Sequence, residues 1–137
     1  MSIVDELIRK EDNGTISFGN YNLDKKTQLS DVEVNGDLYK VKTFNEITKL
    51  ERNGMFVYES VPGTAVHNFK VTETTLEFQV EGAKEPQITV ELEPETEYTI
   101  YINESNAGTM KTNLGGKLVL SVAVSKGEEA SVKIVKC

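Results

Sequence analysis

The amino-acid sequence predicts a mainly β protein, an antiparallel β-sandwich preceded by a short N-terminal helix and β-hairpins. Three observations carry that prediction. Short runs in which apolar and polar residues alternate recur over 66–71, 75–80, 87–92, 97–102, 108–112, 117–124 and 130–136, each bounded by Gly, Pro, Asn or charged turn residues. Among them, 92–102 reads as a strand end, a corner at Pro94 and a new strand, with Tyr98, Ile100 and Ile102 on an apolar face and Glu97, Thr99 and Tyr101 on a wet one. Asn35-Gly36, set between alternating segments, is the dipeptide that a two-residue type I′ hairpin turn requires.

In chain order, Ser2 is placed to cap a helix whose Val4, Leu7 and Ile8 share a stripe, with Asp5 and Glu6 in its first turn and Arg9 and Lys10 in its last, before Asn13-Gly14. A helix this short is stable only when docked, so Leu7 and Ile8 either plug the end of the chain's own sandwich or reach a neighbouring subunit. Over 15–23 the alternation set by Ile16 and Phe18 changes phase at Gly19-Asn20 before Tyr21 and Leu23, which marks a bulge or bend. The Asn-Gly hairpin follows, and its second strand sets Tyr39 and Val41 against Lys40 and Lys42.

Residues 44–54 fit either a two-turn helix, with Phe44, Ile47 and Leu50 three apart, or a hairpin around Arg52-Asn53-Gly54; the β-rich run from Met55 to Tyr58 favours the hairpin. Val61-Pro62-Gly63-Thr64 reads as a type II turn and is the place to divide the chain, into a helix-plus-hairpin region, 1–61, and a sandwich region, 62–137. It is too short for a flexible linker and predicts a corner between two β layers. The run 117–124 has two fairly apolar faces and is expected at the centre of a sheet, between turns at Gly115-Gly116 and Lys126-Gly127-Glu128.

A 137-residue chain that is 38% hydrophobic and 27% charged can bury a core without a disulfide or metal staple. Its 22 acids against 15 bases give a net charge of −7, spread along the chain with no basic patch, which argues against nucleic acid or an anionic membrane surface as partner. No apolar run approaches the ~20 residues of a membrane span, and the N-terminus lacks the pattern of a secretory signal. With a single cysteine, Cys137, the expectation is a cytoplasmic protein with an untended terminal thiol.

The alternation Leu92-x-Pro94-x-Thr96-x-Tyr98-x-Ile100-x-Ile102 resembles the tyrosine corner of fibronectin type III and immunoglobulin-like domains, whose tyrosine hydroxyl bonds backbone just upstream. In those domains the corner leads into the second-last strand, whereas three strand-like runs follow it here, which implies a non-standard immunoglobulin-like topology. The order Tyr98-x-Ile-x-Ile-Asn103, Gly108-Thr-Met-Lys-Thr112 and Gly116-Lys-Leu-x-Leu-x-Val122 is similar to small β-sandwich modules attached to bacterial polysaccharide-active enzymes. That resemblance covers residues 88–124 and implies an accessory role, with no catalytic residue.

His67 is the one histidine, with only Cys137 as another soft ligand, so a surface or strand-edge position fits it better than a zinc site or a Ser-His-Asp arrangement. Glu91, Glu93, Glu95 and Glu97 recur every second residue, but Pro94 breaks their register and no calcium-loop spacing is present, so they read as a solvated acidic edge. No phosphate-binding loop, nucleophile elbow or zinc-protease motif is found, and no cofactor or metal is expected. Tyr39, Phe56, Tyr58 and Tyr101 are either core and cross-strand packing or a sugar-stacking platform. The expectation is a non-catalytic protein acting through protein–protein contact or homo-oligomeric assembly, with Leu7, Ile8, Tyr39, Phe56, Tyr58 and Tyr101 as candidate interaction surface. The alternatives are a glycan-binding accessory module and an enzyme with a carboxylate-based site.

Overall fold

Residues 3–124 and 127–137 are described by a computed structural model, and strands account for every regular element among them. In chain order these are β1 (Ile8–Lys10), β2 (Ile16–Phe18), β3 (Thr27–Val34), β4 (Asp37–Thr43), β5 (Thr48–Arg52), β6 (Met55–Val61), β7 (Thr64–Val71), β8 (Thr75–Gly82), β9 (Gln87–Glu91), β10 (Glu97–Ile102), β11 (Ser105–Lys111), β12 (Lys117–Ser121) and β13 (Ala130–Lys136). They pair antiparallel into a larger sheet, β1-β2-β7-β8-β13-β10-β11, and a smaller one, β12-β9-β6-β5-β4-β3.

Alternation decides what lies between the sheets. Leu76, Phe78 and Val80 of β8, Val132 and Ile134 of β13, Ile88 and Val90 of β9 and Leu118 and Leu120 of β12 are buried, and their odd or even neighbours face outward. Phe18, Tyr58, Phe69 and Phe78 form the aromatic centre, with ring centroids 5.3–6.2 Å apart and mostly edge to face. At one end of this core the hydroxyls satisfy one another: Thr64 Oγ1 lies 2.9 Å from Tyr58 Oη and 2.8 Å from Ser60 Oγ, and Thr43 and Thr48 meet at 2.8 Å. The Tyr98 hydroxyl accepts the Glu93 N–H (3.2 Å) where the chain leaves the smaller sheet at β9 and enters the larger at β10.

Both Asn-Gly hairpins close as type I′ turns. Asn35 and Gly36 have φ of 53° and 86°, and Asn53 and Gly54 have 52° and 80°; within 44–54 no helix forms, 44–46 are a bend and 48–54 belong to the β5–β6 hairpin. Other expectations need correction. Among the described residues no helix forms near the N-terminus: Leu7 has φ 73°, Val4 donates to Gly19 O, Gly19 donates to Leu7 O, and Ile8 starts a strand paired with β2. The short apolar stripe gains more from pairing with Ile16–Phe18 than from an isolated helical turn. The strand expected over 15–23 stops at Phe18, and Tyr21 lies in a turn. The Val61–Pro62 bond is cis and Gly63 does not take the positive φ of a type II turn; Gly63 is required for space, since a Cβ there would lie 2.0 Å from Phe44 O. The 117–124 run is an edge strand, β12, with Val119 exposed. The capping role of Ser2 and the turn role of Lys126 lie outside the described residues.

Candidate functional site

The outward-facing side chains of β8, β13 and β10 lie next to one another in the larger sheet, because those three strands are neighbours although they are far apart in sequence. Glu77 is directly opposite Lys133, Lys133 opposite Tyr101, and Gln79 opposite Ser131. With Glu104 and Val135 they line an open cleft of about 640 Å³, within the ~300–1,000 Å³ range of small-ligand sites. Among the described residues, no hydrogen bond or ion pair engages the side chains of Glu77, Lys133 or Tyr101. A carboxylate and an ammonium facing each other across a strand pair without closing on each other are free to bind something else.

Behind the cleft, the β7 edge of the same face is fixed by a polar network. Asn68 sits at a bulge with φ 55° and donates its amide to Gln79 Oε1 (2.9 Å), so the Gln79 amide nitrogen keeps its donors, while Thr15 gives its hydroxyl hydrogen to Asn13 Oδ1 (2.6 Å) and lies 3.2 Å from Asn68 Oδ1. Ser17 Oγ accepts the Asn68 N–H (3.2 Å) and donates to Glu11 Oε2, which also takes Arg9 Nη2–H at 3.1 Å. The Ser17 hydroxyl, and after it Arg9, hold the Glu11 carboxyl below the usual carboxylate range against a smaller opposing effect of burial. His67, expected at the surface or a strand edge, is buried on an interior strand, with Nε2 3.7 Å from Glu129. Glu81 is buried too, and accepts the Tyr21 hydroxyl (2.6 Å) and the Gly127 N–H (2.7 Å).

No protein family, curated protein or solved structure matches the chain. Of the six candidate surface residues, Tyr101 alone reaches the cleft. Tyr58 is fully buried with its ring packed on Phe18, Phe69 and Phe78, and burial pushes its hydroxyl far above the ordinary phenol range. Ile8 is core, Leu7 and Tyr39 pack against that core, and neither Leu7 nor Ile8 is presented as an arm. Phe56 is half-buried on the outside of the smaller sheet, 4.8 Å below Lys117 Nζ and 5.9 Å from Lys49 Nζ.

Sequence reasoning did not single out Glu77, Gln79, Ser131 or Lys133. Their signal was present as the polar phase of two alternating runs, and it gained meaning only with the non-sequential order β8-β13-β10. Two acids, Glu77 and the exposed Glu104, line the cleft together with Val132 and Val135. The acidic run is engaged elsewhere: Glu91 pairs with Lys117 (3.2 Å) and Glu93 with Lys136 (2.6 Å), and among the described residues no three His, Cys, Asp or Glu side chains are grouped to hold a metal ion. The described residues also contain no helix long and apolar enough to cross a membrane.

Proposed function

We propose that the chain is a non-catalytic β-sandwich that acts by contact with protein, a second copy of itself first. The observation that carries this is β11, whose seven residues are all exposed although it closes one edge of the larger sheet. The other edges are poorer templates. β1 has three residues, β12 has five, and β3 carries Asp31 (φ 59°) and Glu33 within the strand, whereas the bulge of β11 between Asn106 and Gly108 brings no charge to its edge. β11 is uncharged up to its final Lys111, and Glu104 precedes it.

Antiparallel pairing of two β11 strands about a twofold axis sets Lys111 of each copy beside Glu104 of the other, and uses up the edge in both, so assembly stops at a dimer. Light scattering over a concentration series tests this. The native mass is expected at twice 15.2 kDa. Lys111→Glu should return a monomer, and Glu104→Lys with Lys111→Glu should restore the dimer. A monomeric wild type at every concentration sinks the proposal.

A second reading, that the protein binds a glycan as an accessory module, is favoured by a separate observation: the cleft beside Tyr101 with its unpaired carboxylate and ammonium. Measurable affinity for one member of a polysaccharide panel is its minimum requirement.

A further inference from the structure

We infer that the cleft on the outer face of the larger sheet takes an uncharged glycan chain, with Tyr101 as the ring platform and Glu77, Lys133 and Gln79 as the hydrogen-bonding residues; this rests on the glycan reading above. The chemistry follows from the groups that meet there. A pyranose presents an axial C–H face that packs on an aromatic ring and an equatorial belt of hydroxyls, each both donor and acceptor. Tyr101 offers the ring. Next to it in register, Lys133 offers donors only and Glu77 acceptors only, so neighbouring hydroxyls of one sugar can be satisfied in both senses. The charges of this pair cancel, and Glu104 at the rim adds a negative one, as does the chain's net −7; a uronate or sulfated polymer would meet repulsion.

Gln79 adds a donor whose direction is set in advance. Its Oε1 is held by the Asn68 amide at 2.9 Å, and Asn68 is itself held by its N–H bond to Ser17 Oγ at 3.2 Å, so the free amide N–H₂ needs little ordering on binding. Asn68 is therefore a positioning residue that acts through Gln79.

The test is titration of the isotope-labelled full chain with cellohexaose, xylohexaose, mannohexaose and laminarihexaose, and with oligogalacturonate as the charged comparison, followed by amide shifts. At least one neutral hexasaccharide is expected to move the amides of residues 77, 79, 101, 131 and 133, and to bind more tightly than oligogalacturonate. Tyr101→Ala and Gln79→Ala should weaken it at least tenfold, Asn68→Ala severalfold, and Tyr101→Phe, which keeps the ring, by less than threefold. Phe56→Ala, on the opposite face, should leave affinity unchanged, and circular dichroism verifies that each variant is folded. Binding whose shifts map away from the cleft, or that survives Tyr101→Ala, overturns this assignment while the glycan reading stands. Preference for oligogalacturonate overturns the uncharged class. Absence of binding by every sugar at millimolar concentration removes both.

Discussion

The Glu11 carboxylate is held by the Ser17 hydroxyl first and by Arg9 second, and both favour its charged form. Its folded-state pKa therefore lies below the ordinary 4.5. The sign follows from linkage: a carboxyl depressed on folding contributes stability in full above its unfolded value, and that contribution is lost as pH falls through the folded one. Ser17→Ala removes the larger cause and leaves the Asn68 N–H without its acceptor. At pH 6 it should cost about 1–3 kcal/mol in urea unfolding. The gap between variant and wild type should narrow as pH falls through the folded-state pKa, because protonation of Glu11 then removes the charged acceptor from the wild type as well. A gap that is constant with pH would show that Ser17 acts through packing or Asn68 alone. At this scale the sequence was legible where alternation applies: it put Tyr98 on the apolar face and Tyr101 on the wet one, as found. It was silent on Ser17, Asn68 and Glu81, whose roles depend on partners 51, 11 and 60 residues away.

Among the elements, hairpins were readable and the N-terminal helix was not. Asn-Gly turns require positive φ at both positions and so announce themselves, whereas Val4, Leu7 and Ile8 fit a helical stripe equally well as a loop and strand docked on β2. Phe56 marks a subtler limit. It shares its phase with the buried Tyr58, but a bulge opposite Leu50–Glu51 admits Val57 as an extra residue, which turns Val57 toward the core and Phe56 out between Lys49 and Lys117. Phe56→Ala should therefore cost about 1–2 kcal/mol through lost packing and cation–π contact, far below the ~3–5 kcal/mol of removing a core ring. Chemical denaturation of Phe56→Ala against Phe78→Ala measures the contrast. Equal losses would place Phe56 in the core and contradict the bulge. The run 117–124 fails for a related reason: two apolar faces describe a strand's composition, while its place at an edge is decided by which strand arrives beside β9.

Whole-molecule architecture was the least legible level, because the order of strands in a sheet is set by contacts between distant segments. A sandwich follows from alternation and turn spacing; that β13 lies between β8 and β10, or that β2 joins β7, does not. This order has a consequence for the division at Val61–Thr64. β1 and β2 belong to the same sheet as β7, β8, β10, β11 and β13, and β3 to β6 share theirs with β9 and β12, so each half of the chain supplies strands to both sheets. The aromatic centre is split in the same way, Phe18 and Tyr58 coming from one side of the corner and Phe69 and Phe78 from the other. A fragment of residues 62–137 would expose β7 along the edge that β2 covers, strip β6 from β9, and leave Phe69 and Phe78 without the rings that pack against them edge-on. Those losses amount to several core truncations at ~3–5 kcal/mol each, comparable to or larger than the ~5–15 kcal/mol stability of a small domain. The intact chain should accordingly unfold in one transition, with tyrosine fluorescence and far-ultraviolet circular dichroism coinciding in urea, and the 62–137 fragment should show no cooperative transition of its own. Two separated transitions in the intact chain, or a fragment that melts cooperatively, would mean that the second half holds its sheet without the first, and that the shared rings contribute less than their burial implies.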